Sequence, residues 1–267
     1  MPFLSWPYVE GVSAWGPNTS AYHTITNLGY ISLGIRGIQN NRRNGKDSVV
    51  DLCYATLIFV GVGSALYHMN LKYFTQMIDE ASMLYATAAI LYGALSITLG
   101  RATRNSLATL LTGIIIAVSI AHFFIGDIKT FRRTFLAMLL SVLFQCIWLL
   151  SARVPDLKVK QEAQYLALYG TGIEIVGTFL LGFVLWNIDN KFCGQLTQAR
   201  DVVGMPLGFL TELHGWWHLW TGVGVYHYVV LIEYLRSYIR AITDKSKSPS
   251  LIWPNSFSLP YLVRSKE

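Results

Sequence analysis

A chain of 267 residues that is 53% hydrophobic and only 13% charged falls well short of the roughly 25% charge of soluble domains, which excludes a water-soluble globule. Its net charge of +6 would suit nucleic acid, but the basic residues cluster in alternate loops, a membrane pattern that argues against a nucleic-acid partner. Three scattered cysteines, Cys53, Cys146 and Cys193, exclude a disulfide framework or a CxxC metal site.

Residues 1–20 lack the basic start and uninterrupted apolar core of a cleaved signal, so the N-terminus is expected to persist. Apolar stretches then predict spans at 19–37, 49–68, 77–99, 106–126, 131–151, 165–187 and 206–238. Such stretches approach or exceed the ~20 residues that cross a ~30 Å hydrocarbon layer. The expected fold class is all-α: a polytopic, seven-helix transmembrane bundle over residues 1–240, with a polar cytosolic tail over 241–267.

Arg36, Arg42, Arg43 and Lys46 follow the first span, Arg101 and Arg104 the third, and Arg153, Lys158 and Lys160 the fifth. Arg236, Arg240, Lys245, Lys247, Arg264 and Lys266 join them on the same side, leaving Lys72, Lys129, Arg132, Arg133, Lys191 and Arg200 opposite. The positive-inside rule places the C-terminus in the cytosol and the N-terminus outside it.

Ionisable side chains inside spans cost about 2.5–3.5 kcal/mol or more unless paired or facing a cavity. Span two carries Ser64 and His68, span three opens with Asp79 and Glu80, and span seven carries His214 and His218 after Glu212. The i,i+4 spacing sets His214 and His218 on one helix face, the way one helix supplies two metal ligands. His68 would be the third, and three protein ligands with one open position make a catalytic rather than a structural zinc site. Span two runs outward to His68 and span seven runs inward, reaching His214 about two turns after Pro206, so the set shares the non-cytosolic half.

The remaining polar residues have plainer readings. His23, His122 and His227 are read as hydrogen-bonded packing residues, His227 lying about 13 Å beyond His218. Trp216 and Trp217 are read as interface anchors. Glu174, deep in span six, is read as an interhelical hydrogen-bonding group, with contact to a substrate hydroxyl as the alternative. Asp189 is read as a cap or a support for a ligand histidine.

The stretches Gly63 to Tyr73, Gln76 to Glu80, and Leu181 to Asn190, together with the His214 to His218 box followed by Thr221 and Gly222, resemble the alkaline ceramidases. The likeness runs from Trp15 through nearly the whole chain. It implies a seven-helix protein of the endoplasmic reticulum or Golgi membrane that hydrolyses the N-acyl bond of ceramide, dihydro- and phytoceramide being in the same class, to sphingoid base and fatty acid. By position His68, His214 and His218 match the zinc ligands, Ser64 the active-site serine and Asp79 the active-site aspartate.

On that footing Asp79 is expected to act as general base or else to orient a ligand histidine. Ser64 is expected to donate to the oxyanion or else to its own helix carbonyl. The resemblance also implies a calcium ion, but here Trp15 to Ser20 passes directly into Ala21, with no carboxylate between Glu10 and Asp47. A calcium ion needs six to eight oxygens, several from carboxylates, so no calcium site is expected, and Cys193 is left without the family's disulfide partner. The alternatives are a heptahelical relative of the adiponectin and progestin receptors, which share the Ser/His, Asp and His/His skeleton, and a weakly active ceramidase paralogue.

Overall fold

A computed structural model describes residues 19–125, 128–153, 162–204, 206–254 and 258–263. Two helices, α1 (Thr19–Thr26) and α2 (Leu28–Arg43), join at Asn27, whose side chain and backbone N–H turn back onto carbonyls of α1. A tight turn through Gly45 (φ 98°) and Lys46 (φ 43°) leads into α3 (Ser48–Asn70). Asp47 starts α3 by accepting from the Val49 N–H, an N-cap that satisfies one of the helix's orphan donors.

Leu71 ends α3 in a left-handed conformation, and α4 (Tyr73–Leu95) returns antiparallel to it. Helix α5 (Arg101–Ile120) closes in a π-helical turn, Ala121–Ile125. Helix α6 (Ile128–Trp148) does the same at Leu149–Arg153. The long α7 (Glu162–Val203) breaks at Phe192 (φ −116°, ψ 24°).

The last helix, α8 (Leu213–Asp244), starts seven residues later than the expected span seven. Gly204 (φ 67°) and Pro206 end the preceding segment, and Leu207–Thr211 form a 3-10 turn. Glu212 (φ −81°, ψ 67°) then breaks the helix path before Leu213. His214 therefore lies in the first turn of α8 rather than two turns deep.

Helix α8 packs against α7, α2 and α3, and Val229, Val230, Leu231 and Ile232 along it are fully buried. Glycines bring α2 close to α3: a Cβ at Gly37 would fall 2.2 Å from the Tyr54 ring, and one at Gly34 2.8 Å from the Tyr54 carbonyl. Small residues are what allow helix backbones to approach so closely in membrane bundles. By contrast α5, α6 and α7 expose Leu110, Ile116, Phe144, Ile173 and Leu180, an apolar face suited to lipid.

Four segments among the described residues are long and apolar enough to cross a membrane: Ser48–Met69, Arg101–Phe124, Lys129–Ala152 and Ala167–Val203. These four apolar helices, with the membrane-type exterior, make the chain an all-α integral membrane protein. Helices α2, α4 and α8 occupy the other expected positions, but none of them is among these four.

Two ties close the end opposite His68. Asp47 accepts from Arg236 Nε at 2.9 Å and Arg240 Nη2 at 2.9 Å, while Arg236 Nη1 donates to Ser96 Oγ at 2.9 Å. Burial alone would push the Asp47 carboxyl up, but the Arg236 and Arg240 guanidiniums and the Val49 N–H outweigh it and hold it below the usual carboxylate range. The region expected as a polar tail also folds back: β1 (Ser250–Ile252) pairs antiparallel with β2 (Tyr261–Val263), burying Leu251 and Leu262. Tyr226 donates to the Pro260 carbonyl at 3.0 Å, fixing this hairpin to α8.

Candidate metal centre

The C-terminal end of α3 supplies Ser64 and His68 one turn apart, both buried. Helix α4 brings Asp79 alongside from its second turn, and the first two turns of α8 supply His214 and His218. One nitrogen from each of the three histidines lies within 4.8 Å of the others, the spacing of a set able to share one metal ion. Their ring centroids stand 5.1, 5.1 and 4.8 Å apart.

The donors suit such an ion. His68 Nε2 is buried with no hydrogen-bond partner, a costly arrangement for a polar atom unless something else meets it. His218 Nδ1 lies 3.0 Å from Thr26 Oγ1, which itself donates to the His23 carbonyl at 3.1 Å, so that Nε2 is the nitrogen left to face a metal. Metal-bound histidines usually carry such a support on the second nitrogen, fixing tautomer and ring orientation.

Ser64 hydrogen-bonds the Asp79 carboxylate, so a hydroxyl and a carboxylate are paired one turn before His68 on α3. The neighbouring Glu80 turns the other way, toward His122 Nε2 at 2.5 Å and Gln76 Nε2 at 3.1 Å. Asp189 accepts from the His214 backbone N–H, capping the start of α8.

Several residues land differently from their sequence readings. His23 is not remote packing: its ring lies 5.2 Å from His68, 5.0 Å from His214 and 6.4 Å from His218. The expected topology, with the N-terminus outside, sets His23 on the first helix in the same half of the bilayer as the cluster, and that is the signal the sequence carries for it. Thr26 left no signal at all, because its partner is 192 residues away.

Glu174 is exposed, with no place at the cluster. His227 is buried far along α8, its ring stacked on Trp253 at 5.5 Å. Trp217, read as an interface anchor, packs on Phe179 and Trp186 and lines a cavity. Cys193 is exposed and unbridged. Glu10 and the stretch of the expected calcium loop up to residue 18 lie outside the described residues.

That cavity runs between α2, α3, α4, α6, α7 and α8, and two of its lining residues neighbour His218: Trp217, next to it in the chain, and Tyr30, whose ring is 6.2 Å away. Its walls are almost wholly apolar, with Met83, Phe135, Leu143 and Phe179 among them. At its head Tyr30 OH meets Thr221 Oγ1 at 2.5 Å, one turn along α8 from His218. Toward the other end it is lined by Cys146 and Tyr228, and Tyr228 OH donates to the Val142 carbonyl at 3.2 Å. An apolar pocket with a few convergent polar groups at one end is the usual form of a small-molecule site.

The family model for ceramidases matches residues 19–263, which include every residue of this cluster. The chain belongs to the ceramidase family. It is similar to alkaline ceramidase 3 of Mus musculus, 29% identical with 93% of this chain and 96% of the relative covered. It is also similar to an alkaline ceramidase of Saccharomyces cerevisiae, 27% identical with 88% of this chain and 83% of the relative covered. In this ceramidase-family chain a metal-competent histidine set and a Ser64–Asp79 pair thus lie near an apolar cavity whose lining residues Trp217 and Thr221 flank His218 on α8.

Proposed function

We propose that this chain is a zinc-dependent amidohydrolase that cuts the N-acyl bond of ceramide, releasing sphingoid base and fatty acid. It spans the endoplasmic reticulum or Golgi membrane seven times, with its C-terminus in the cytosol. The observation that carries the reading is three imidazoles converging where α3 meets α8, with the Ser64–Asp79 pair one turn before His68 and an apolar cavity lined by Tyr30, Trp217 and Thr221 next to His218. Membership of the ceramidase family supports ceramide as the substrate.

His68, His214 and His218 would hold the zinc, and the unpartnered buried Nε2 of His68 fits that use. When bound, zinc supplies Lewis acidity that brings the pKa of water toward neutrality and polarises a carbonyl. The protein's own groups do the rest. Asp79 takes the proton as water adds its oxygen to the amide carbon, then gives it to the nitrogen as the C–N bond breaks. Ser64 donates a hydrogen bond to the oxygen that gains charge in between. The cavity walls receive an aliphatic chain of the lipid and keep bulk water out.

Purified protein incubated with ceramide in mixed micelles is expected to release fatty acid and sphingoid base in equal amounts. Asp79→Asn should reduce that rate by about 10²–10⁴-fold with zinc still bound. Bound zinc with no turnover in the unaltered chain would instead identify a receptor-like cage.

A further inference from the structure

His23 is as close to His68 and His214, at 5.2 and 5.0 Å, as those rings are to each other at 5.1 Å. Only its 6.4 Å separation from His218 sets it apart. Four imidazoles around one zinc make a closed site, whereas hydrolytic sites keep one position open. A fourth ring at this range is therefore a hazard to catalysis unless something restrains it.

Glu212 is placed to do so. It is the non-helical residue between the 3-10 turn and α8, its side chain 3% exposed, and Arg200 holds its Oε1. Its Oε2 lies 3.0 Å from His23 Nε2. That contact is off the line of an ideal hydrogen bond, yet neither buried atom has another partner, so each has only the other to offset its burial. Backbone packing limits the ring further: a Cβ at Gly215 would come 3.3 Å from Thr26 Cγ2 and 3.8 Å from His23 Cδ2. The ring can swivel more readily than α1 can shift.

We propose that Glu212, anchored by Arg200, tethers His23 away from the metal position and so keeps the set of His68, His214 and His218 open. This rests on the metal reading above. The tether acts through place rather than charge state: it occupies the ring nitrogen that would otherwise turn toward the cluster.

Cobalt(II) replacing zinc in the full-length, detergent-solubilised chain gives an absorption spectrum that reports coordination, and azide tests for an open position. In the unaltered protein azide should shift the cobalt bands. In Glu212→Ala the shift should be lost as His23 closes the set, and in Glu212→Ala/His23→Ala it should return. Because Glu212→Ala leaves the half-buried Arg200 without its carboxylate partner, Glu212→Ala/Arg200→Leu, with and without His23→Ala, repeats the comparison with both charges removed. An azide shift unchanged in the tether variants overturns the inference while the metal reading stands. An unaltered protein whose cobalt ignores azide overturns it too, since the set is then already closed. A chain that binds no cobalt overturns both.

Discussion

His218 takes its tautomer from Thr26 Oγ1 at 3.0 Å, a side-chain contact between the first and last helices. Thr26→Val keeps the shape and removes the acceptor, and should weaken zinc binding about 10–100-fold, read by chelator competition. Ser64→Ala should lower turnover by about 10²–10³-fold without loss of metal, because Ser64 bonds Asp79 rather than a histidine. These roles differ in how far the sequence disclosed them. Ser64, His68, Asp79, His214 and His218 are legible because ionisable groups in apolar spans need a reason, and because i,i+4 spacing fixes a shared face. Thr26, His23 and Glu212 are not legible from spacing, since their meaning arises only where α1 meets α8.

At the scale of the element, the start of α8 decides the depth of the site. Counting turns from Pro206 puts His214 well into a helix, but the 3-10 turn and Glu212 reset the count, so that His214 opens α8 where His68 nears the end of α3. Convergence comes from two helix ends meeting at one level. At the other end of the same helices, Asp47 caps α3 and ties it to α8 through Arg236 and Arg240. With its folded pKa lowered, the stability it contributes is fully present above the unfolded carboxylate value of about 3.9. That contribution is lost as pH falls through the lower folded value. Asp47→Asn keeps a capping side chain but leaves Arg236 without its anion, and should cost about 3 kcal/mol at neutral pH. A thermal-unfolding series should then show a flatter acid limb than in the unaltered chain.

Over the whole molecule, most helices are legible because apolar runs of membrane length leave few alternatives. The helices that carry Asp79, His214 and His218 are absent from the four strongly apolar segments for a physical reason. Facing the interior, α4 and α8 trade lipid-compatible residues for Glu80, His122's partner, and for Thr221, Tyr226, His227 and Glu233, all of them buried or half-buried. The hairpin of Ser250–Ile252 and Tyr261–Val263 leaves no mark in the sequence, because three residues per strand give no periodicity. The proposed topology, seven crossings with a cytosolic C-terminus, would place Cys193 on the far side of the membrane. It is the one exposed cysteine of the three, so a membrane-impermeant thiol reagent should label it from that side alone, and labelling from the cytosolic side would refute the topology.

If the three-histidine cluster holds a zinc ion needed for ceramide hydrolysis, metal depletion must abolish the reaction. Fatty-acid release from ceramide should vanish when purified protein is stripped by chelator and should return with about one equivalent of zinc. Undiminished release from the stripped protein would rule out a zinc requirement.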